Sequence, residues 1–174
     1  AVPLAKSMSA LDYGSGSGLL SFPLKDELGS ITLKDTSAGM LAVAEEKIAA
    51  QGVTNMSVRQ ADLTADAPSD ERYDLIYSSM TLHHIPDTDA ILKTFHELLN
   101  PGGWLCIADL DREDGTFHGV EVDVHHGFER SAMAGKAVAA GYETPRFDTI
   151  FEIVKETESG NRAYPVFLMV ARRP

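Results

Sequence analysis

The stretch Ala10-Leu11-Asp12-Tyr13-Gly14-Ser15-Gly16-Ser17-Gly18 decides how this chain is read. An apolar run ends in a glycine loop, and a helix is expected to start at Leu19-Leu20. Glycines at alternate positions let the backbone turn with φ > 0 and let a ligand lie against it. A helix start then offers unpaired N–H groups to an anion. The loop also carries a carboxylate, Asp12, just before its first glycine. Asp12 repels a phosphate but not a ligand bearing an ammonium or a sulfonium. The spacing is GxGxG, and Leu19 stands where the dinucleotide pattern GxGxxG places its last glycine.

Outward from this loop, strand and helix patterns alternate. Leu11 closes a first strand, and Leu19 to Leu28 is expected as a short helix. Ile31 to Asp35 reads as a second strand. Ser37 suits an N-cap, Met40, Leu41, Ala44 and Ile48 fall on one helical face, and Gly52 supplies a stop. Met56 to Arg59 and Tyr73 to Ser78 read as the third and fourth strands. Asp87 or Thr88 caps a helix whose apolar stripe is Ile91, Leu92, Phe95, Leu98 and Leu99. Asn100-Pro-Gly-Gly103 reads as a turn into a fifth strand, Trp104 to Ala108. A helix is expected from Arg130 to Ala140, closed by Gly141. Phe147 to Lys155 and Tyr164 to Ala171 are two last strands, joined by a hairpin-like Glu158-Ser-Gly-Asn161.

Such alternation implies a mostly parallel sheet covered on both faces, with one of the last two strands antiparallel. Ligands in such sheets bind at the carboxyl ends of the strands, where the strand order reverses. That edge collects Asp12 to Gly18, Asp35, Asp62-Leu63 and Ser78-Ser79-Met80. No repeat, low-complexity segment or linker interrupts the chain, so residues 1–174 read as one domain.

Composition narrows the function classes. The 174 residues, 44% of them apolar, suit one domain with a sizeable core. The net charge of −11 disfavours nucleic acid, whose affinity rests on phosphate neutralisation by Lys and Arg, and also anionic membranes. The single cysteine, Cys106, excludes an intramolecular disulfide and is compatible with a cytoplasmic setting. It sits in the apolar run Trp104-Leu-Cys-Ile-Ala108 and reads as a buried, inert thiol. No segment is apolar enough to span a bilayer.

Taken together, these segments resemble the class I S-adenosylmethionine-dependent methyltransferases of the small-molecule type. ALDYGSGSG resembles the family's first motif, and Asp35 in ITLKDTS the acidic residue ending the second strand. QADL resembles the adenine-contacting motif, YDLIYSSMTLHHIPD the fourth-strand motif, and NPGGWLCIADL the entry to the fifth strand. The resemblance covers about residues 8 to 110 and implies a Rossmann-like α/β fold. Its doubly wound sheet would have about seven strands, mostly parallel, with an antiparallel C-terminal hairpin.

The resemblance also implies roles. S-adenosylmethionine would be the cofactor and S-adenosylhomocysteine its product. The loop of Gly14, Ser15, Gly16 and Gly18 would wrap the methionyl part, with Asp12 favouring its ammonium; the other reading of Asp12 is a helix cap. Asp35 would accept the two ribose hydroxyls, with Thr36 and Met40 flanking ribose and adenine. Asp62 would accept from the adenine amino group and the Leu63 N–H would donate to the ring, unless Asp62 is only a turn residue. The Ser78 carbonyl would receive the ammonium, and Ser79 and Met80 would line the transfer face, Met80 reading equally as core. The acceptor would be a small molecule, not nucleic acid or membrane.

Histidines follow the fourth strand. His83 is expected to face the acceptor as a base or orienting group, and His84 to pack inward. His118, His125 and His126 fall in a region that supplies substrate contacts in the family. The acidic run Asp109 to Asp114 reads as a solvated loop, and no ligand spacing such as HExxH indicates a metal. About ten residues precede the first motif, so the helical lid that relatives carry there is expected to be missing. The acceptor's identity and the oligomeric state stay open. Two other readings are a non-catalytic S-adenosylmethionine-binding subunit and a nicotinamide-dependent oxidoreductase; Leu19 and Asp12 argue against the latter.

Overall fold

A computed structural model of the chain describes residues 2–66, 70–118, 122–157 and 160–174. Apolar runs with neighbours on opposite faces become strands, because successive side chains of a strand point to opposite sides of a sheet. Seven such runs form β1 (Ser9–Tyr13), β2 (Ser30–Asp35), β3 (Met56–Gln60), β4 (Tyr73–Ser79), β5 (Leu99–Leu110), β6 (Arg146–Thr157) and β7 (Gly160–Arg172). They make one sheet in the order β3-β2-β1-β4-β5-β7-β6. β1 to β5 pair in parallel, and β7 runs antiparallel to both β5 and β6. Glu158 and Ser159 of the expected hairpin lie outside the described residues; Thr157 pairs with Gly160 on either side of them.

Among the described residues four α-helices cover the sheet: α1 (Ser21–Leu24), α2 (Ala38–Ala50), α3 (Thr88–Leu98) and α4 (Arg130–Ala139). One face buries Leu11, Ile76, Leu105 and Ile107 against Ile91, Leu92 and Phe95 of α3 and Met133 and Ala137 of α4. The other buries Ala10, Ile31, Leu33 and Leu75 with Ala44 of α2 and Leu28. Each fully buried large apolar side chain contributes about 1.5–3 kcal/mol relative to exposure. α3 forms as its sequence dictates. Asp87 caps it by accepting from the Ala90 N–H at 2.9 Å, and Ile91, Leu92, Phe95 and Leu98 of its stripe are buried, while Leu99, expected on the same stripe, is the first residue of β5. Ser37 caps α2 in the same way, accepting from the Met40 N–H. Among the described residues no helix is long and apolar enough to cross a membrane.

Three expectations need correction. The helix foreseen from Leu19 to Leu28 is a single turn, Ser21–Leu24. Asn55 Nδ2 donates to the Lys25 and Leu28 carbonyls, which a longer helix would have had to leave in line with its own axis. Met40 is half-exposed; the core side of α2 is Leu41, Ala44 and Ile48, and Met40 lies one residue, about 100°, off it. The strand foreseen from Trp104 begins at Leu99. Asn100-Pro-Gly-Gly103 is an irregularity inside β5: Tyr73 and Leu75 of β4 face Leu99 and Trp104, and Gly102 takes φ +80° to absorb the extra residues.

The strand order reverses beside β1, which has β2 on one side and β4 on the other. The chain therefore leaves a crevice outside the carboxyl ends of β1 and β4, the position at which doubly wound sheets bind ligands.

Candidate active site

The crevice holds a cavity of about 250 Å³ lined by Tyr13, Gly14, Asp35, Thr36, Thr81 and His84. Its floor is the glycine loop. Gly14, Gly16 and Gly18 take φ of +70°, +52° and +80°, a region that side chains rarely enter. A Cβ on Gly14 would sit 2.2 Å from Thr81 Oγ1, whereas one on Gly16 would meet nothing within 4 Å. Gly14 is thus glycine for packing, and Gly16 faces open space.

The loop's amides are already spent. The Gly14 and Ser15 N–H groups donate to the Lys34 carbonyl, Gly16 N–H to Asp35 Oδ2 at 2.8 Å, and Gly18 N–H to the Ser15 carbonyl. The helix that follows is one turn long. These four amides are therefore not offered to an anion, as the sequence suggested they would be. Asp35 also accepts from the Ser37 N–H at 2.8 Å through Oδ1. Each of its oxygens keeps a further lone pair toward the crevice. Ser15 Oγ is buried and has no hydrogen-bond partner among the described residues.

Asp12 lies at the end of β1, 2% exposed, beneath this loop. Its Oδ2 accepts from Ser21 Oγ at 2.7 Å, and Ser21 Oγ lies 2.7 Å from the Tyr77 hydroxyl. Burial pushes the Asp12 carboxyl up to about 7, with the Ser21 hydrogen bond opposing and the Asp35 charge reinforcing. Burial likewise raises the Tyr77 hydroxyl, and the Asp12 charge adds to it. Of the two readings of Asp12, the hydrogen bond to Ser21 supports the one that ties it to the first residue of α1, and Asp12 is not among the residues lining the cavity.

The remaining residues foreseen for the site divide. Thr36 lines the cavity. Asp62 forms a turn, accepting from the Thr64 N–H and Oγ1 at 2.9 and 2.6 Å. The Leu63 N–H acts on the Tyr13 hydroxyl, which burial and the Asp62 charge raise to about 12. Ser78 is buried in β4 beside Ile107. The Ser79 carbonyl accepts from Thr81 Oγ1 at 3.0 Å. Met80 takes φ +53°, strained for a side-chain-bearing residue, and packs against the cluster of Ala108, Leu110, Phe117, Tyr164 and Val166. Met40 stands outside both the core and the cavity lining.

The histidines reverse the expectation. Residues Leu82–His84 form a 3₁₀ turn in which His83 is 1% exposed and His84 faces solvent. Asp109 draws His83 inward: its Oδ1 lies 2.7 Å from His83 Nδ1 and its Oδ2 accepts from the His83 N–H at 3.2 Å. Asp109 itself is fully buried at the end of β5. The acidic run is therefore a solvated loop only in part: Asp109 and Leu110 are buried, while Arg112 and Asp114 are exposed. Asp111 holds Arg130 through two contacts of 2.7 and 2.6 Å, and Asp114 meets Arg162 at 2.7 Å. His83 Nε2 lies 2.9 Å from His118 Nε2. Burial and the neighbouring imidazoles lower both His84 and His118. His125 closes over the turn, its N–H donating to the His83 carbonyl at 2.8 Å. His126 lies against Gly115 instead.

A second cavity of about 190 Å³ is lined by His83, His84, Pro86, Asp123, Val124 and His125. His84 borders both cavities. Tyr13 and Thr81 were missed as cavity residues, although each adjoins a segment that sequence reading singled out. Nothing in the sequence near His83 signals Asp109 or His118. Cys106 is half-buried, and burial pushes its thiol up to about 11, which removes it as a nucleophile.

A family model described as a methyltransferase domain matches residues 4–166. The chain belongs to the class I S-adenosylmethionine-dependent methyltransferases. This methyltransferase domain is 33% identical, over 119 residues, to an uncharacterized methyltransferase of Schizosaccharomyces pombe, a match covering 64% of this chain and 42% of that one. It is 29% identical over 107 residues to a ubiquinone biosynthesis O-methyltransferase of Sinorhizobium fredii, covering 62% of this chain and 43% of the relative. The domain thus spans less than half the length of these two relatives. In structure it is similar to phosphoethanolamine N-methyltransferase 2 of Haemonchus contortus, solved in complex with S-adenosyl-L-methionine. That likeness has a TM-score of 0.79 at 16% identity and covers 99% of this chain and 50% of the other. At this identity the likeness establishes the shared fold.

Proposed function

We propose that this methyltransferase domain transfers a methyl group from S-adenosylmethionine, seated in the glycine-loop cavity, to a small-molecule acceptor in the cavity beyond His84. The observation that carries this reading is the shared residue: two cavities at the carboxyl edge of the sheet, both lined by His84. The cofactor fit is supported by three features of the first cavity and the loop beside it. Ser15 Oγ is buried with no hydrogen-bond partner among the described residues, Gly16 faces open space, and Asp35, which lines the cavity, retains lone pairs. The occupied amides of the loop weigh against a pyrophosphate cofactor.

In this reading Asp35 accepts the ribose hydroxyls, and the Ser78 carbonyl, with Asp12 in its ionised form, favours the methionyl ammonium. Thr36 borders the ribose, and Asp62 and Leu63 close the adenine end behind Tyr13. When bound, the cofactor supplies a methyl group already activated on a sulfonium. The protein's own task is to align the acceptor and exclude water. His83 is the proposed base: Asp109 fixes its Nδ1, which leaves Nε2 to take a proton and share it with His118. The −11 charge and the second cavity of about 190 Å³ favour a small acceptor over a nucleic acid.

The test is calorimetry followed by turnover. S-adenosylhomocysteine is expected to bind where NAD and NADP do not, and a panel of phenolic, amine and thiol acceptors is expected to yield methylated product from labelled S-adenosylmethionine. Preferential binding of NAD overturns the cofactor. Binding without turnover of any acceptor assigns the chain to a regulatory subunit instead.

A further inference from the structure

We infer that His83, His84 and His118 form a binding site for one divalent late transition-metal ion, Zn²⁺ being the fitting case. Their ring nitrogens converge, each offering a ligand atom within 4.8 Å of the others. The three residues come from two separate segments, and no local periodicity brings His118 to the His83–His84 turn. The rings nevertheless meet in tilted and edge contacts, with ring centroids 4.2, 4.8 and 5.2 Å apart.

Asp109 is the second observation. A metal-binding histidine characteristically gives its other ring nitrogen to a carboxylate, which fixes the tautomer and turns the free nitrogen toward the metal. His83 has this arrangement: Nδ1 is held by Asp109 at 2.7 Å, and Nε2 points at His118. The Asp109 carboxylate is fully buried, and among the described residues its only ion-pair partner is His83. A buried carboxylate without a Lys or Arg is costly. A dication on His83 would supply the missing positive charge.

The chemistry of the donors selects the ion. Imidazole suits Zn²⁺, Cu²⁺, Ni²⁺ and Fe²⁺, and disfavours Mg²⁺ and Ca²⁺, which take oxygen. Ligand nitrogens of a tetrahedral zinc stand about 3.4 Å apart, from a Zn–N length of about 2.0–2.1 Å. The 2.9 Å between His83 and His118 must open slightly and His84 must approach. His84 is exposed and His118 half-buried, so both have room to move while His83 stays fixed. In the metal-free chain the His83 and His118 ring nitrogens face each other at 2.9 Å; the ion takes the place of that contact.

Three protein ligands leave a fourth position open, the pattern of catalytic rather than structural zinc. That position adjoins the cavity of His83, His84, Asp123 and His125. With His83 Nε2 on the ion it no longer serves as the base; instead an oxygen of the acceptor bound at the open position would lose its proton more readily, so the acceptor class becomes one with a hydroxyl or carbonyl donor. This consequence rests on the proposed methyl transfer; the metal site does not.

The experiment titrates Zn²⁺ into the tag-free, metal-stripped chain by calorimetry, with Co²⁺ absorption reporting the ligand field. One equivalent is expected to bind, with the intense visible bands of tetrahedral cobalt. His118→Ala and His84→Ala, both away from the core, should each weaken binding by at least about tenfold. His96→Ala, which lies against Tyr142 on another part of the molecule, should leave it unchanged. Absence of saturable uptake, or uptake indifferent to both His118→Ala and His84→Ala, overturns the site. S-adenosylhomocysteine is titrated into the same His118→Ala protein. Retained binding there with lost Zn²⁺ supports the metal site and leaves the cofactor reading intact. Loss of S-adenosylhomocysteine binding in the wild-type chain would instead remove the methyltransfer reading while the metal titration still stands.

Discussion

Asp12 is held in two states by its surroundings. The unfolded carboxyl ionises near 3.8 and the folded one near 7. Between those values the native chain keeps a proton that the unfolded chain has lost. Stability from this group is therefore fully present below about pH 4 and declines as pH rises toward 7. The shift corresponds to at most about 4 kcal/mol. Asp12→Asn should remove this slope, so urea midpoints at pH 5 and 7.5 should differ less in the variant than in the wild type. An unchanged difference would show that Asp12 is ionised in the fold. Asp35 has another task, bridging the Gly16 and Ser37 amides while facing the cavity. Asp35→Ala should weaken S-adenosylhomocysteine binding by about 1–3 kcal/mol in calorimetry, the cost of unpaired polar groups. The two glycines should separate. Gly14→Ala drives a methyl into Thr81 and should lower Tm markedly. Gly16→Ala should cost only about 1–2 kcal/mol of backbone strain yet block ligand binding, since its methyl enters open space. Equal effects on binding and stability at both positions would contradict this division.

At the scale of elements, α3 was legible because cap and stripe agree. Asp87 closes the first turn, and Ile91, Leu92, Phe95 and Leu98 recur at helical spacing. Phe95 is fully buried and meets Tyr13 edge to face at 5.3 Å between centroids. Phe95→Ala should therefore destabilise by about 3–5 kcal/mol, read as a lower urea midpoint with an unchanged slope. α1 was not legible. Leu19 and Leu20 look like a helical start, yet both are exposed and only one turn forms. Its length is set by Asn55 on a loop remote in sequence. The Leu82–His84 turn is governed from β5. Truncating Asp109 to Ala would leave three donors, the His83 ring, its N–H and the Leu110 N–H, without an acceptor. That change should cost at least about 3 kcal/mol and expose His83, which faster reaction with diethyl pyrocarbonate would reveal.

For the whole molecule, acidity is the leading property. Twenty-six acidic residues against fifteen basic ones give the net charge of −11. Counterion release cannot drive binding to a polyanion from such a surface. Fluorescence anisotropy with duplex DNA or single-stranded RNA should show no complex at moderate salt. A micromolar complex that weakens with salt would overturn the small-acceptor reading. The sheet order places every cavity residue at one edge although they span Tyr13 to His84 in sequence. The parallel crossovers impose this, because each strand must return to the same end before the chain turns.

The sequence by itself determined what repeats locally. Strand alternation, the stripe of α3, the caps at Ser37 and Asp87 and the positive-φ glycines follow from neighbours a few residues apart, and they sufficed for the fold and for the position of the cavity. Tertiary structure decided what depends on distant partners. His83 and His84 are adjacent, and no local rule says which turns inward; a 3₁₀ turn sets neighbours about 120° apart, and Asp109, 26 residues from His83, selects one. His118 joins from 35 residues away. The fate of the loop amides is likewise non-local, since the Lys34 carbonyl and Asp35 on the adjacent strand take them. Local chemistry wrote the scaffold, while pairings across the sheet edge, which carry no periodic signal, chose the orientation of the groups that act.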